Sequence, residues 1–134
     1  MSENFQLYVD IVEKVDKDKF VFGPVLLADT EDLQGDVYDS EEVEKAAWRF
    51  AKNGFLGDEM HKKDLDKDEA LFVESFVWRP GLMGDSMTIG KKTYETTTWF
   101  AGAVLGDDLW SKVEKGKIRG FSISGTAIRV AEAA

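Results

Sequence analysis

The chain has 134 residues and no cysteine, with 26 Asp and Glu against 17 Lys and Arg for a formal net charge of −9. Its length reads as one domain over 1–134, and 43% apolar residues suffice for a core. The acidic balance argues against sequence-independent binding of nucleic acid, which needs a basic face, and the absence of cysteine excludes disulfides, thiolate metal sites and a thiol nucleophile.

No apolar run approaches the roughly 18 residues of a membrane span. The opening "MSENFQLYVD" lacks the basic and apolar regions of a secretion signal, so the cytoplasm is the expected compartment. From Phe5 through Leu7, Val9 and Ile11, apolar and polar residues alternate, which predicts a first strand. After the polar "EKVDKDK", a second strand is expected over Phe20–Leu27, with Gly23-Pro24 bending it or keeping it at a sheet edge. The Asp-rich "DTEDLQGDVYD" reads as a loop.

A helix is expected from about Ser40 to Asn53. Asp39 and Glu42 have capping-box spacing, Val43, Ala46, Ala47 and Phe50 recur at helical spacing, and Asn53-Gly54 closes the segment. The polar stretch "FLGDEMHKKDLDKDEA" follows as a loop and holds His61, the single histidine. "LFVESFVW" reads as a strand. The next seventeen residues, "RPGLMGDSMTIGKKTYE", include four Gly or Pro and are expected to be a mobile connection. "TTTWFAGAVL" is a further strand, and "DDLWSKVEKG" a short helix with Asp107 at its start and Gly116 just past its end. The stretch "GKIRGFSISGTAIRV" then forms the last strand. The order is strand-rich with two helices, which implies α+β and mainly β, or a β-barrel flanked by helices.

Several residues carry candidate chemistry. Ser122 and Ser124 share one face of the last strand by the two-residue alternation of strands, where a core strand would carry aliphatic residues. A serine hydroxyl becomes a useful nucleophile once a base takes its proton, and His is the usual base near neutral pH. Spacing alone does not pair His61 with Ser122, since a lone histidine in a polar loop is by default a surface residue. "DLDKDEA" begins like a calcium loop, but the glycine expected at its sixth position is Glu69 and the closing glutamate at its twelfth is Ser75. Asp29, Asp32 and Asp36 have no recognised metal spacing either. No metal or other cofactor is expected. The four tryptophans, Trp48, Trp78, Trp99 and Trp110, are expected in the core.

Four stretches, taken in order, resemble a known family. They are "GPVLLADTEDLQGDVYDSEEVEKAAWRF", then "MHKKDL" with "LFVESFVW", then "TTTWFAGAVLGDDLWSKVEKGKIRGFSISG". Together they are similar to the phage serine proteases of the XkdF type, relatives of the prohead maturation proteases of tailed phages. The resemblance covers roughly residues 20 to 128. It implies an assemblin-like fold, a small β-barrel flanked by helices as in herpesvirus capsid proteases. It also implies a serine endopeptidase that cleaves phage scaffold and major capsid proteins in the procapsid interior, within the bacterial host cytoplasm. Related viral proteases dimerise, so a homodimer is compatible with the analogy.

The resemblance puts the nucleophile on Ser122 and the general base on His61, with Ser124 as a hydrogen-bonding neighbour. Such proteases carry an acidic third residue some two dozen residues beyond the serine, whereas twelve residues follow Ser122 here and Glu132 stands too close to the end. Either the chain is truncated at its C-terminus or an upstream acid serves, for which Glu74 in "VESF" is the candidate. Arg129 or Arg119 is the candidate oxyanion or substrate contact. A non-catalytic capsid-assembly or scaffold module with the same fold is the alternative, and a metal-dependent binding domain built on the Asp loops a more distant one.

Overall fold

The computed structural model describes residues 6–31, 35–52, 69–124 and 127–132. The chain opens with β1 (Gln6–Asp10) and β2 (Glu13–Val15), makes one 3₁₀ turn at Asp16–Asp18, and returns as β3 (Phe20–Leu27). Helix α1 (Ser40–Lys52) precedes β4 (Ala70–Trp78), the short pair β5 (Met87–Ile89) and β6 (Lys92–Tyr94), and the central strand β7 (Thr98–Leu105). Helix α2 (Asp107–Glu114) leads to a terminal hairpin, β8 (Ile118–Ser124) and β9 (Ala127–Glu132). Three antiparallel sheets result, with strand orders β1-β8-β9, β2-β3-β7-β4 and β5-β6.

This is a mixed, mainly β architecture, as the residue pattern implied. The expected closed barrel does not form among the described residues. Strands β1 and β2 follow one another in the chain but pair in different sheets, so β4 and β9 are each left at a sheet edge with one neighbour. Closure would need every edge strand to find a partner. The two sheets nevertheless lean together, because β1 runs close to β3 and the Val12 N–H donates to the Phe22 carbonyl at 2.8 Å.

Strand β7 organises the core because it is buried on both faces. Trp99, Ala101, Ala103 and Leu105 join one cluster with Val43, Ala46, Ala47 and Phe50 of α1, while Phe100 belongs to a second with Trp78 and Tyr94. Phe50 meets Phe72 edge-on at 5.5 Å and lies tilted against Trp99 at the same separation. On the opposite face, Phe100 stacks with Phe22 at 5.6 Å and Phe76 at 5.5 Å, and Tyr94 packs edge-on at 5.0 Å. Gly102 lies beneath these rings: a Cβ there would overlap the tip of Phe20 and come within 3.1 Å of Phe22. A side chain at that position would force the Phe20 ring away from the sheet.

The local devices read from the sequence take physical form at α1. The Glu42 N–H donates to Asp39 Oδ1 at 2.8 Å, and the Asp39 N–H donates back to Glu42 Oε1 at 3.1 Å, completing a capping box. Gly23-Pro24 falls where β2 stops pairing with β3 and where the register against β7 shifts between Pro24 and Leu26, so a bend and a locally free edge coincide. Helix α2 starts at Asp107 as expected, with Gly106 as its N-cap residue, and Asp107 accepts a hydrogen bond from Lys19. That contact holds the Asp107 carboxyl below the usual carboxylate range.

Three expectations are corrected. The connection over 79–95 is not a structureless tether, since its Met87 and Ile89 pack on the Phe100 cluster and Tyr94 is buried within it. Its polar and glycine-rich composition hides a hairpin whose Gly90 takes φ +61° at the turn. Residues 116–130 do not make one strand but part of a hairpin, β8 and β9. Trp48 is not in the core; it is 51% exposed on α1, whereas Trp78, Trp99 and Trp110 are buried.

One ion pair fastens α1 to the end of β4. Arg79 Nε donates to Glu44 Oε2 at 2.7 Å, a second guanidinium nitrogen lies 2.6 Å from the same oxygen, and a third donates to the Val77 carbonyl at 3.2 Å. Both side chains are less than a third exposed. Replacing Arg79 by Ala therefore removes charge-assisted bonds from a partly shielded site and is expected to cost about 1–2 kcal/mol in urea unfolding. A loss below about 0.5 kcal/mol would show that solvent screens the pair as it does on an open surface.

Candidate functional site

Ser122 lies in the middle strand of the β1-β8-β9 sheet. Its register partners are Tyr8 on β1 and Arg129 on β9. One rung along, Ser124 pairs with Gln6 and Ala127; one rung back, Gly120 pairs with Asp10 and Ala131. Residues directly opposite in an antiparallel sheet share a face, and alternate residues along a strand do too. Ser122 and Ser124 therefore occupy a face whose other positions are Gln6, Tyr8, Asp10, Gly120, Arg129, Ala127 and Ala131. The alternating set is Leu7, Val9, Phe121, Ile123, Ile128 and Val130, entirely apolar. Positions 122 and 124 thus fall on the register face that carries the polar residues of this sheet. Between Ile118 and Gly120 the β8–β9 register shifts by an irregularity, which puts Arg119 at the bulge. Bulges of this kind cluster at sheet edges and beside active sites, where they redirect the strand.

Of the residues singled out in the sequence, Arg129 comes directly opposite Ser122 in register. His61 lies outside the described residues, as do Asp32, Asp64, Asp66 and Asp68. Glu74 stands on β4, at the edge of the other large sheet, as an exposed residue paired with Gly102. The β4 register shifts between Phe72 and Glu74, so Phe72 and Ser75 can both serve the α1 side of the sheet, Phe72 against Phe50 and Ser75 accepting a hydrogen bond from Trp99 Nε1 at 2.9 Å.

Tyr8 and Asp10 are the positions that sequence reasoning did not single out. Their signal was the polar half of the alternation "QLYVD", whose apolar half identified the strand; what the sequence could not supply was that this strand pairs with β8. Among the described residues, no group of three or more His, Asp or Glu is gathered to hold a metal ion. No described helix is long and apolar enough to cross a membrane.

Comparison with known proteins adds the context for Ser122. Residues 8–131, nearly the whole chain, with all of β8 and most of β1 and β9, match the profile of the family described as "Putative phage serine protease XkdF". The chain belongs to the XkdF family. Consistently, it is 32% identical over 112 residues to the phage-like element PBSX protein XkdF of Bacillus subtilis (strain 168), covering 84% of this chain and 38% of that protein. It is 34% identical over 125 residues to a second protein of the same strain, "Uncharacterized protein YqbD", covering 92% of this chain and 37% of the relative. This XkdF-type chain therefore spans a little over a third of the length of the curated relatives it matches. No solved structure gives a significant match.

Proposed function

We propose that this XkdF-type chain carries the catalytic serine of a phage prohead endopeptidase that cleaves scaffold and capsid proteins. Membership of a family named for serine proteases, with Ser122 on the polar face of a three-stranded sheet inside the matched region, is the observation that carries the reading. In this reading Ser122 Oγ attacks the carbonyl carbon of the scissile peptide while His61 accepts the hydroxyl proton. The tetrahedral intermediate collapses, the C–N bond breaks, and the leaving amine takes the proton from the imidazolium. Water then repeats the sequence on the acyl-enzyme and releases the second product. Arg129, across the rung, supplies positive charge for the developing oxyanion or for a substrate carbonyl. An assemblin-like ancestry, action inside the procapsid and homodimerisation belong to the same reading.

A non-catalytic assembly module is the competing function, favoured by the position of Glu74 in a sheet other than that of Ser122. A serine-directed fluorophosphonate separates the two. The expected result is a stoichiometric mass gain on Ser122 in the folded protein and none after thermal unfolding, with His61→Ala slowing the modification by about 10²–10⁴-fold, the usual contribution of a general base. A folded protein in which Ser122 stays unmodified would establish the assembly module instead. Equal modification rates with and without His61 would remove that residue from the site.

A further inference from the structure

We infer that the outer edge and open face of β4 dock an extended strand of a partner protein, with a Lys or Arg at its centre and apolar residues at alternate positions. The inference is independent of the serine-peptidase reading, because it uses the β2-β3-β7-β4 sheet alone. On the face of that sheet turned away from α1, Val15, Phe20, Val104 and Leu71 make one apolar rung across all four strands. The β5–β6 hairpin covers this face around Phe100. Toward the start of β4 the cover ends, and Val15, Leu71, Val73, Phe76 and Val104 are 38–45% exposed. The two edges of the sheet are also built differently. Strand β2 is three residues long, and two of them are the charged Glu13 and Lys14. Strand β4 runs nine residues with no Lys, Arg or Pro and a single charge, Glu74. Edge strands present a row of unpaired backbone N–H and C=O groups, which proteins commonly blunt by shortness, lysine or proline. That protection is present at β2 and missing at β4, whose one irregularity, between Phe72 and Glu74, leaves its apolar side chains exposed.

Charge and area decide the occupant. Glu74 is the middle residue of β4, so two copies paired antiparallel over the whole strand would set Glu74 directly opposite Glu74. Like charges directly opposite are destabilising, and each copy brings a net charge of −9. The apolar patch is small for a dimer as well. It is on the order of 300 Å², the scale of the largest patch on an ordinary monomer, against about 800 Å² per partner in a standard interface. A single added strand needs less area, because main-chain hydrogen bonds supply affinity and alternate side chains supply specificity. Among the described residues Glu74 has no ion pair or side-chain hydrogen bond, and its register partner Gly102 carries no side chain. A basic residue on the incoming strand would meet that carboxylate, while apolar residues at alternate positions would meet Phe76 and Leu71.

The probe is a synthetic peptide about as long as β4, acetylated and amidated, with Lys at its centre, Val at every second position from it and Thr between. Fluorescence anisotropy of the labelled probe at low salt reads binding to the 134-residue chain, and amide exchange followed residue by residue by NMR reads where it binds. The expected result is saturable binding with slowed exchange over 70–78, and binding about fivefold or more weaker when Glu replaces the central Lys of the probe. Glu74→Lys should reverse that preference. Glu74→Gln, the milder change, should abolish it and keeps the test available if Glu74→Lys does not fold. No saturable binding, equal affinity for the two probes, or protection confined to residues outside 70–78 would each overturn the inference. Two properties of the chain without probe would overturn it too. A dimer in sedimentation whose formation protects 70–78 would give the edge to a second copy. A monomer in which every amide of 70–78 is already protected would show that the edge is not open.

Discussion

Ser122→Ala is expected to abolish both fluorophosphonate modification and cleavage of a cognate scaffold protein, whereas Ser124→Ala should lower the rate by about tenfold. The contrast follows from what each hydroxyl can be asked to do. A nucleophile supplies the bond that forms, and its removal from a well-studied serine protease costs about 10⁶ in kcat. A neighbouring hydroxyl contributes one hydrogen bond, worth about 1–1.5 kcal/mol, which is close to a factor of ten. The register supports this ranking, since Ser122 sits on the rung with Arg129, while Ser124 pairs with Gln6 and Ala127 toward the end of β8. Circular dichroism of both variants guards the conclusion. Equal and complete loss in two folded proteins would mean that the site needs both hydroxyls, and complete loss in Ser124→Ala alone would transfer the nucleophile to position 124.

The pattern of residues specified elements better than it specified their partners. Helix α1 was legible because its signals are local: the Asp39–Glu42 box and the apolar stripe of Val43, Ala46, Ala47 and Phe50 lie within one segment. The β5–β6 hairpin was hidden because three-residue strands are too short for a period to show, and its stability comes from packing Met87 and Ile89 on Phe100, thirteen and eleven residues away in sequence. Trp48 stays exposed despite its large ring, because the buried stripe of α1 is filled by Val43, Ala46, Ala47 and Phe50 and position 48 falls outside it.

The candidate site divides along the same line. The paired serines announced a polar strand face by alternation alone, and the family resemblance then ranked Ser122 first. The acid is another matter. Glu74 follows His61 closely in the chain, whereas register partners are set across strands, and β8 pairs with β1 more than a hundred residues upstream. Nothing in a single sequence reports that pairing, because loop closure over such a distance leaves no periodic trace in the residues between.

The largest stability effect is expected at Trp99, where Trp99→Ala should cost about 3–5 kcal/mol. Trp99 is fully buried near the start of β7, paired with Leu26 on one side and Val77 on the other, and its ring packs against Phe50 of α1. Truncation would open a cavity between the sheet and α1 that neither can collapse to fill, since α1 is capped at its start by Asp39 and tied through Glu44 to Arg79. Against the 5–15 kcal/mol that typically separates folded from unfolded states, such a loss shifts the urea midpoint strongly and leaves a less robust protein at physiological temperature. The indole N–H can be tested apart from the ring. Ser75→Ala keeps the packing but strands the Trp99 donor, and should cost about 1–3 kcal/mol. A Trp99→Ala loss below about 1 kcal/mol would mean that the buried cluster repacks freely. Because Trp99 lies in the α1-covered sheet and Ser122 in the other, Trp99→Ala should leave the modification rate of the folded fraction unchanged even as it lowers that fraction. A rate that falls faster than the folded fraction would reveal that the β2-β3-β7-β4 sheet helps hold the β8 rung in place, through the contact of β3 with β1.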